Sequence, residues 1–193
     1  MFGMRDANNA DTPLKADKLI STTNQNSIHI FGCADANLIN EQDGKFVCKV
    51  LFKLHVNTVN WRFKKQNTIS LSFAERNRVA LTDAAKKAKY HDMLLNHEIG
   101  IGIQPPITIH EDNKACIAIA NDPKHQHRTK HIRLKHLAIR DWIAEGTIKT
   151  ASIRSKDMIA DTLTKVLPRC AFSDLKDKMR VIPSQKPTIV ERN

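Results

Sequence analysis

The sequence lacks any long apolar run, and no window approaches the roughly 20 uncharged apolar residues that a membrane-spanning helix needs. Residues 1–11 carry charges at Arg5 and Asp6 and lack the apolar stretch of a secretory signal. The four cysteines are widely separated and have neither zinc-finger nor redox spacing, so no disulfide framework or structural metal is indicated. These absences predict a protein without membrane association in an intracellular, reducing compartment, either cytoplasmic or nuclear.

Acidic residues are also in deficit, since 20 Asp and Glu stand against 31 Lys and Arg and the formal net charge is +11. An excess of positive charge favours a polyanionic partner, because contacts to phosphates release condensed counterions. The same composition fits a basic surface that merely keeps the protein soluble. Composition alone leaves these two interpretations open.

The 193 residues suffice for one domain with a single buried core. Residues 1–27 mix polar residues and one proline without periodicity, which predicts an irregular leader. An ordered domain is expected over residues 28–182. The charged, proline-containing residues 183–193 predict a disordered tail.

Three apolar segments open the predicted domain, at residues 28–36, 46–55 and 58–63. The short links between them predict three strands in hairpin succession. Trp61 lies near the end of the third strand between apolar neighbours, so we expect it in the core rather than as a platform on which bases stack. Trp142, between two isoleucines of a later predicted helix, is most simply a packing residue.

A change from a two-residue to a 3.6-residue period then predicts a long amphipathic helix at about residues 74–97, with an alanine stripe that allows close packing on a sheet. Later segments predict a strand at 107–112, a short helix at 114–120, a basic helix at 131–145, a strand at 148–153 and helices from residue 157 onward. This order indicates an α/β fold in which helices pack on the faces of a mixed sheet.

Asp35, Asp112 and Asp161 fall at two predicted strand tips and in a late helix. Hard divalent cations prefer carboxylate oxygens, and paired ions can clamp the attacking water and the leaving oxygen of a phosphodiester. Three separated acids among 20 are weak support for such a site. Without further context, solvated turn acids and a helix cap are the favoured interpretation.

Five sequence blocks supply that context. They are GCADAN around Asp35, VNWRFKKQ at 59–66, ITIHEDNKACIAIANDP at 107–123, HQHRTKHIRLKHLAIRDWIAEGTIK at 125–149 and DMIADTLTKVLPR at 157–169. Together, over roughly residues 28–180, they resemble the ribonuclease H region of the Pol polyproteins of copia-type retrotransposons. The resemblance is specific because all five blocks occur in the family's order at near-family spacing.

The resemblance implies a ribonuclease H-like fold: a mixed five-stranded sheet, with a three-strand antiparallel meander joined by parallel strands, and helices on both faces. It implies hydrolysis of the RNA strand of RNA/DNA hybrids with two Mg2+ ions. Asp35, Asp112 and Asp161 match three of the family's four metal-binding catalytic acids. The implied partner is an RNA/DNA hybrid or duplex, with no small-molecule cofactor, and a monomer is expected unless the chain is joined to a reverse transcriptase.

Asn77 stands where the family has its fourth acid, a glutamate on the first long helix. An amide offers one neutral oxygen where a carboxylate offers a charge and two oxygens, so we expect weaker cation binding and impaired hydrolysis. Glu75 is a doubtful substitute, because it lies about 200° away around a helix of 3.6 residues per turn. A surface acid near the helix start is the favoured interpretation of Glu75.

Other departures from the family remove negative charge or add positive charge. Asn37 replaces a second acid, Arg78 an aromatic residue and Arg133 an aspartate. Residues 2–14 resemble the end of the reverse transcriptase, which in the family lies many tens of residues upstream, and this suggests a degenerate or internally deleted copy. Drift after loss of selection and conversion to a nucleic-acid binder explain the changes equally well.

A basic segment is predicted to contact nucleic acid, although a plain solvated face fits it as well. Its residues are Lys124, Arg128, Lys130, His131, Arg133 and Lys135. His131 is also a candidate proton carrier near a scissile phosphate. A zinc site at His125, His127 and His131 is disfavoured, since no cysteine or carboxylate completes it and neighbouring cations repel a metal.

Three functions therefore compete. The first is an enzyme that cuts the RNA strand of hybrids, and the second is a non-catalytic nucleic-acid-binding protein derived from the transposon. The third is an inert remnant. Because a damaged site can persist on an intact scaffold, fold and activity have to be judged separately.

Overall fold

The computed structural model describes residues 28–38, 46–66, 73–121, 138–163 and 165–180. Three sets of predictions lie outside these residues: the leader at 1–27, the tail at 183–193 and the basic segment from Lys124 to Lys135 with its three histidines. Their structure, and the extent of the predicted domain, stay predictions.

Five strands form one mixed sheet in the order β3-β2-β1-β4-β5. They are β1 (Ile30–Leu38), β2 (Phe46–Leu54), β3 (Asn57–Lys65), β4 (Ile107–Glu111) and β5 (Ile148–Ser152). β1, β2 and β3 form an antiparallel meander, while β4 pairs in parallel with both β1 and β5. The predicted sheet, with its meander and its parallel strands, is confirmed.

Helices occupy the segments between and after the strands. They are α1 (Phe73–Asp92), which continues as a π-helical segment (Met93–Glu98), α2 (Lys114–Asn121), α3 at residues 138–144, two short 3-10 helices (Ser155–Asp157 and Ile159–Leu163) and α4 (Arg169–Met179). Within the described residues, none of these helices has the length and apolar character needed to cross a bilayer.

One face of the sheet, here called the apolar face, packs against α1, α2 and α3. Ala80, Ala84 and Ala88 are fully buried along α1, so the predicted packing role of the alanine stripe is confirmed. Within the sheet, Gly32 is the cross-strand partner of Phe52, and a Cβ at Gly32 would meet the Phe52 ring at 2.7 Å. Trp142 of α3 packs at the edge of this core, as predicted.

The opposite face, here called the polar face, is covered by the 3-10 helices and α4. A small apolar cluster lies there, formed by Cys33, Ile153, Met158 and Ala160. Two lysines of β2 are buried beside it, and the ammonium of Lys53 donates to the backbone carbonyl of Lys178 on α4. Helical segments therefore lie on both faces, as the resemblance implied.

The prediction that Trp61 lies in the core is wrong. Trp61 is 62% exposed, and its strand neighbours Val59 and Phe63 are also exposed. β3 is an edge strand, and α4 contacts it at the Thr58 hydroxyl, which donates to the carbonyl of Met179 at 2.6 Å. Beyond Thr58, the side chains of Val59, Trp61 and Phe63 stay exposed among the described residues.

Two predicted helices also differ in detail. The long helix changes from α to π geometry at Met93, although helical structure continues to Glu98. The closing helix does not begin at residue 157, since Asp161 belongs to a 3-10 helix and α4 starts only at Arg169. Pro168 accounts for the late start, because proline is favoured at helix beginnings and disrupts helix interiors.

Candidate active site

A cavity of about 290 Å³ opens where β1 and β4 end, beside the start of α1. Its lining residues are Asp35, Ala36, Asn37, Phe73, Arg76, Asn77, Asp112, Asn113 and Lys165. Parallel strands deliver their carboxyl ends to one edge of a sheet, so residues that are far apart in the chain meet here.

Asp35 and Asp112 meet at this edge, with a third acid that sequence reasoning did not single out. Phe31 to Cys33 of β1 pair with Thr108 to His110 of β4, so the two strands run together toward the cavity. Single carboxylate oxygens of Asp35, Glu111 and Asp112 all lie within 4.8 Å of one another. Asp112 is further held by the hydroxyl of Ser155, which donates to its Oδ2 at 2.9 Å.

Asp161 is connected to Asp35 by an ion pair that both carboxylates make with the buried Lys49. The Lys49 ammonium lies 2.5 Å from Asp35 Oδ2 and 2.9 Å from Asp161 Oδ1, and its side chain is fully buried. Lys165 binds the other oxygen of Asp161 at 2.7 Å. Asp161 is therefore enclosed by two ammonium groups, and Lys49 occupies the space between it and Asp35.

Lys49 also controls the protonation of Asp35. Burial acts to raise the pKa of this carboxyl, but the charge of Lys49 and its hydrogen bond outweigh burial and hold the pKa below its ordinary value. At the cavity rim, burial acts against the charged form of Lys165, whereas the carboxylate of Asp161 raises its pKa above the ordinary value. Asp35 is thus an ionised carboxylate at neutral pH, and the ammonium group of Lys49 balances its charge.

Asn77 points its amide group at Glu111. Asn77 is 5% exposed, and its Nδ2 donates to Glu111 Oε1 at 3.0 Å. Its Oδ1 has no hydrogen-bond partner among the residues that the structure describes. Glu75, the doubtful substitute, does not line the cavity and is half-buried in the first turn of α1. The structure therefore brings Asn77, and not Glu75, to the acids.

Glu111 is the site residue that the motif comparison missed. It ends β4 with its side chain toward α1 and is fully buried, and its Oε2 has no hydrogen-bond partner within the described part of the chain. Burial raises the pKa of Glu111 well above its ordinary value, the charges of Asp112 and Asp35 add to this, and the Asn113 N–H opposes it. A signal was present, since the alternation of the strand ends in two adjacent acids.

The donor set fits one hard divalent cation better than two. One carboxylate oxygen each of Asp35, Glu111 and Asp112 lies within 4.8 Å of the other two. Two further buried oxygens nearby, Glu111 Oε2 and Asn77 Oδ1, have no hydrogen-bond partner among the described residues. Around Asp161 the fit fails, because its two oxygens are bound by Lys49 and Lys165. The catalytic roles assigned to Asp35, Asp112 and Asp161 stay predictions.

Sequence relatives of the chain come from plant transposons. The retrovirus-related Pol polyprotein from transposon RE2 of Arabidopsis thaliana is 31% identical over 124 residues, which are 64% of this chain and 8% of the polyprotein. The corresponding polyprotein from transposon TNT 1-94 of Nicotiana tabacum is 28% identical over 147 residues, which are 76% of the chain and 11% of the polyprotein. The chain thus spans about a tenth of these relatives, and no protein-family model matches it.

Solved structures with a similar fold are ribonucleases H. LC11-RNase H1, solved in complex with an RNA/DNA hybrid, has a TM-score of 0.50 at 13% identity, over 69% of this chain and 92% of that chain. The N-terminal RNase H domain of Rv2228c from Mycobacterium tuberculosis has a TM-score of 0.50 at 11% identity, over 78% and 98% of the two chains. At such identities the similarity establishes the fold alone.

Proposed function

We propose that this chain, which is similar to part of the Pol polyproteins of plant retrotransposons and has the fold of ribonucleases H, is a ribonuclease H-like module that binds RNA/DNA hybrids at the cavity beside Asp35 and Asp112. We propose further that its hydrolysis of the RNA strand is strongly impaired. The observation that carries the proposal is the pairing of Asn77 with Glu111 at the position where the family has a catalytic glutamate.

The cavity has features suited to a phosphate backbone. Lys165 and Arg76 line it, and the Arg76 guanidinium stacks over the Phe73 ring at 3.1 Å, which fixes its position. Positive groups beside an acidic site attract phosphate and orient the strand. The chain's net charge of +11 adds a nonspecific attraction of the same sign.

Impairment follows from charge at two positions. Divalent cations, when bound, supply the charge that activates water and stabilises the leaving oxygen in this type of hydrolysis. Asn77 contributes a neutral oxygen in place of a carboxylate, and Lys49 places a positive charge between Asp35 and Asp161. Both residues reduce the net negative charge available to attract cations.

The test is cleavage of a labelled RNA/DNA hybrid in Mg2+ and in Mn2+ by the purified chain and by Asn77→Glu. We expect little or no cleavage by the unaltered chain and measurable cleavage by the variant, because the variant restores an acid at the cavity. Asn60→Glu on β3 adds the same charge away from the cavity and serves as control. Efficient cleavage by the unaltered chain would contradict the proposed impairment.

A non-catalytic nucleic-acid-binding protein is the second candidate, favoured by the lysine pair around Asp161 and by the net charge. Its signature is hybrid binding in EDTA that weakens steeply as salt rises. Replacing Lys124, Arg128 and Lys130 together with Gln should reduce the slope of log affinity against log salt by about 0.9 for each phosphate that the variant no longer neutralises. Gln at Lys86, Lys87 and Lys89 on α1 provides the matched control.

A further inference from the structure

Glu111 is a buried acid that the proposed function leaves without a role. Its Oε1 accepts hydrogen bonds from Asn77 Nδ2 at 3.0 Å and from the Asn113 backbone N–H at 3.2 Å. Its Oε2 is buried without a partner. A buried carboxylate oxygen without a partner is costly, so its retention calls for a ligand in at least one state of the protein.

Geometry indicates the class of that ligand. One oxygen each from Asp35, Glu111 and Asp112 lies within 4.8 Å of the other two. Ligands on opposite sides of one ion lie about 4.2 Å apart for Mg2+ and about 5 Å apart for Ca2+, which is twice the metal–oxygen distance. The three oxygens therefore need only small movements to share one cation.

The side chain of Asn77, which is not one of the three acids, supports a ligand at the same position. Asn77 is 5% exposed and lines the cavity with Asp35 and Asp112, and its Oδ1 has no hydrogen-bond partner. Amide oxygens are accepted ligands of hard cations. The Asn77 amide is held beside this cluster, because its Nδ2 donates to Glu111 Oε1 at 3.0 Å. The described protein groups leave two buried oxygens, Glu111 Oε2 and Asn77 Oδ1, unsatisfied.

We infer that Glu111 supplies the carboxylate that Asn77 lacks, so that Asp35, Glu111 and Asp112 bind one divalent cation with Asn77 Oδ1 as a neutral ligand. In this arrangement the acid belongs to β4 and not to α1, and it lies buried directly behind the cavity-lining Asn77 and Asp112. The inference rests on the proposed function in one respect: both assume that this cavity is the catalytic site. It does not require hydrolysis.

Lys49 limits the site to one divalent ion. Its ammonium already neutralises Asp35 Oδ2 and Asp161 Oδ1, and the side chain is fully buried. A divalent ion between these two aspartates would have to displace the buried ammonium of Lys49. The edge of the sheet at Asp35 therefore has one open cation position and one position filled by the protein's own ammonium group.

The test is Mn2+ binding to the purified chain, followed by the electron paramagnetic resonance signal of free Mn2+, with Mg2+ as competitor. Removing an outer partner of a metal ligand typically weakens binding by about 10–100-fold. Glu111→Gln removes a ligand itself, so we expect its affinity for Mn2+ to fall at least tenfold. Asn77→Ala should weaken binding less, and Glu98→Gln, at an exposed position, should leave it unchanged.

Thermal unfolding in EDTA shows whether Glu111→Gln still folds, and we expect no loss of stability because glutamine keeps an acceptor for Asn77. Unchanged Mn2+ affinity in a folded Glu111→Gln, or no Mn2+ binding by the unaltered chain at millimolar concentration, would overturn the inference. Hybrid binding in EDTA separates the two proposals. Failure to bind hybrid with normal Mn2+ binding would sink only the proposed function, and the reverse result only this inference.

Discussion

The two faces of the central sheet both contain fully buried side chains, but of different chemistry. Against α1 the apolar face is filled by alanine, leucine and isoleucine side chains, with Ala80, Leu81 and Ile109 fully buried. The polar face buries Lys49, Asp35 and Asp161 together. Burial alone therefore does not distinguish the part of the molecule that holds the fold from the part that holds the candidate site.

The two faces differ in the interactions that stabilise them. The apolar face is stabilised by area removed from water and by close packing, which depend little on pH or ions. Burying charges is costly unless they are paired, so the polar face depends on complete ion pairs. Perturbations that act on charge should therefore affect one face and not the other.

The largest effect is expected from Lys49→Met in EDTA. Removing one partner of a buried ion pair leaves an uncompensated charge and typically costs about 3–5 kcal/mol of the free energy of unfolding. Urea unfolding measures the loss. Combining Lys49→Met with Asp35→Asn and Asp161→Asn should recover much of it, whereas a loss below about 1 kcal/mol for the single variant would show that Lys49 is not a buried partner in solution.

Leu81→Ala tests the apolar face. Leu81 is fully buried against the sheet, and leucine-to-alanine changes in a core cost about 3 kcal/mol through lost transfer energy and the cavity that remains. The loss in urea unfolding should be the same at pH 5 and pH 8 and with or without divalent cations. Val166→Ala, at a fully exposed position, should cost almost nothing. A cation-dependent loss for Leu81→Ala would remove the contrast between the faces.

His110 gives the polar face a pH dependence. Burial lowers the pKa of His110 to about 4, and among the described residues neither ring nitrogen has a hydrogen-bond partner. The unfolded chain binds a proton near pH 6.5 and the folded chain does not, so the stability linked to this group falls as pH decreases from about 6.5 to about 4. Between pH 7 and pH 5 the expected loss is about 2 kcal/mol.

His110→Leu should abolish that part of the slope while leaving stability at pH 7 nearly unchanged. The measurement is urea unfolding at pH 5, 6 and 7, with His97→Leu at an exposed position as control. Equal slopes for His110→Leu and the unaltered chain would contradict the assignment of His110 as a buried neutral imidazole.

The smallest effect is expected from Trp61→Thr. Trp61 is 62% exposed on the edge strand, and threonine also favours strands, so the change should fall within about 0.5 kcal/mol. Thermal unfolding measures it. A loss above about 2 kcal/mol would mean that a segment outside the described residues covers this end of the polar face.

The fold was largely predictable from the sequence, because the spacing of apolar residues differs between strands and helices. The alternation of β4 and the alanine spacing of α1 placed both elements correctly to within a few residues. The position of Trp61 was predicted wrongly because alternation along a strand shows on which face of the sheet a residue lies, but not whether another element packs on that face. That depends on where α4 ends, which only tertiary packing determines.

The candidate site was predictable only in part. Motif comparison identified Asp35, Asp112 and Asn77, which the structure brings to one cavity. It did not identify Glu111 or Lys49, because neither residue occupies a position of the family's four acids. Such contributions become visible only when distances between strands are known.

The most direct test of the account is the number of Mn2+ ions that the unaltered chain binds at neutral pH, measured by titration calorimetry. One ion per chain is the predicted result, with Asp35, Glu111 and Asp112 as ligands and Lys49 in place of a second ion. Two ions would contradict the role given to Lys49, and none would contradict the role given to Glu111.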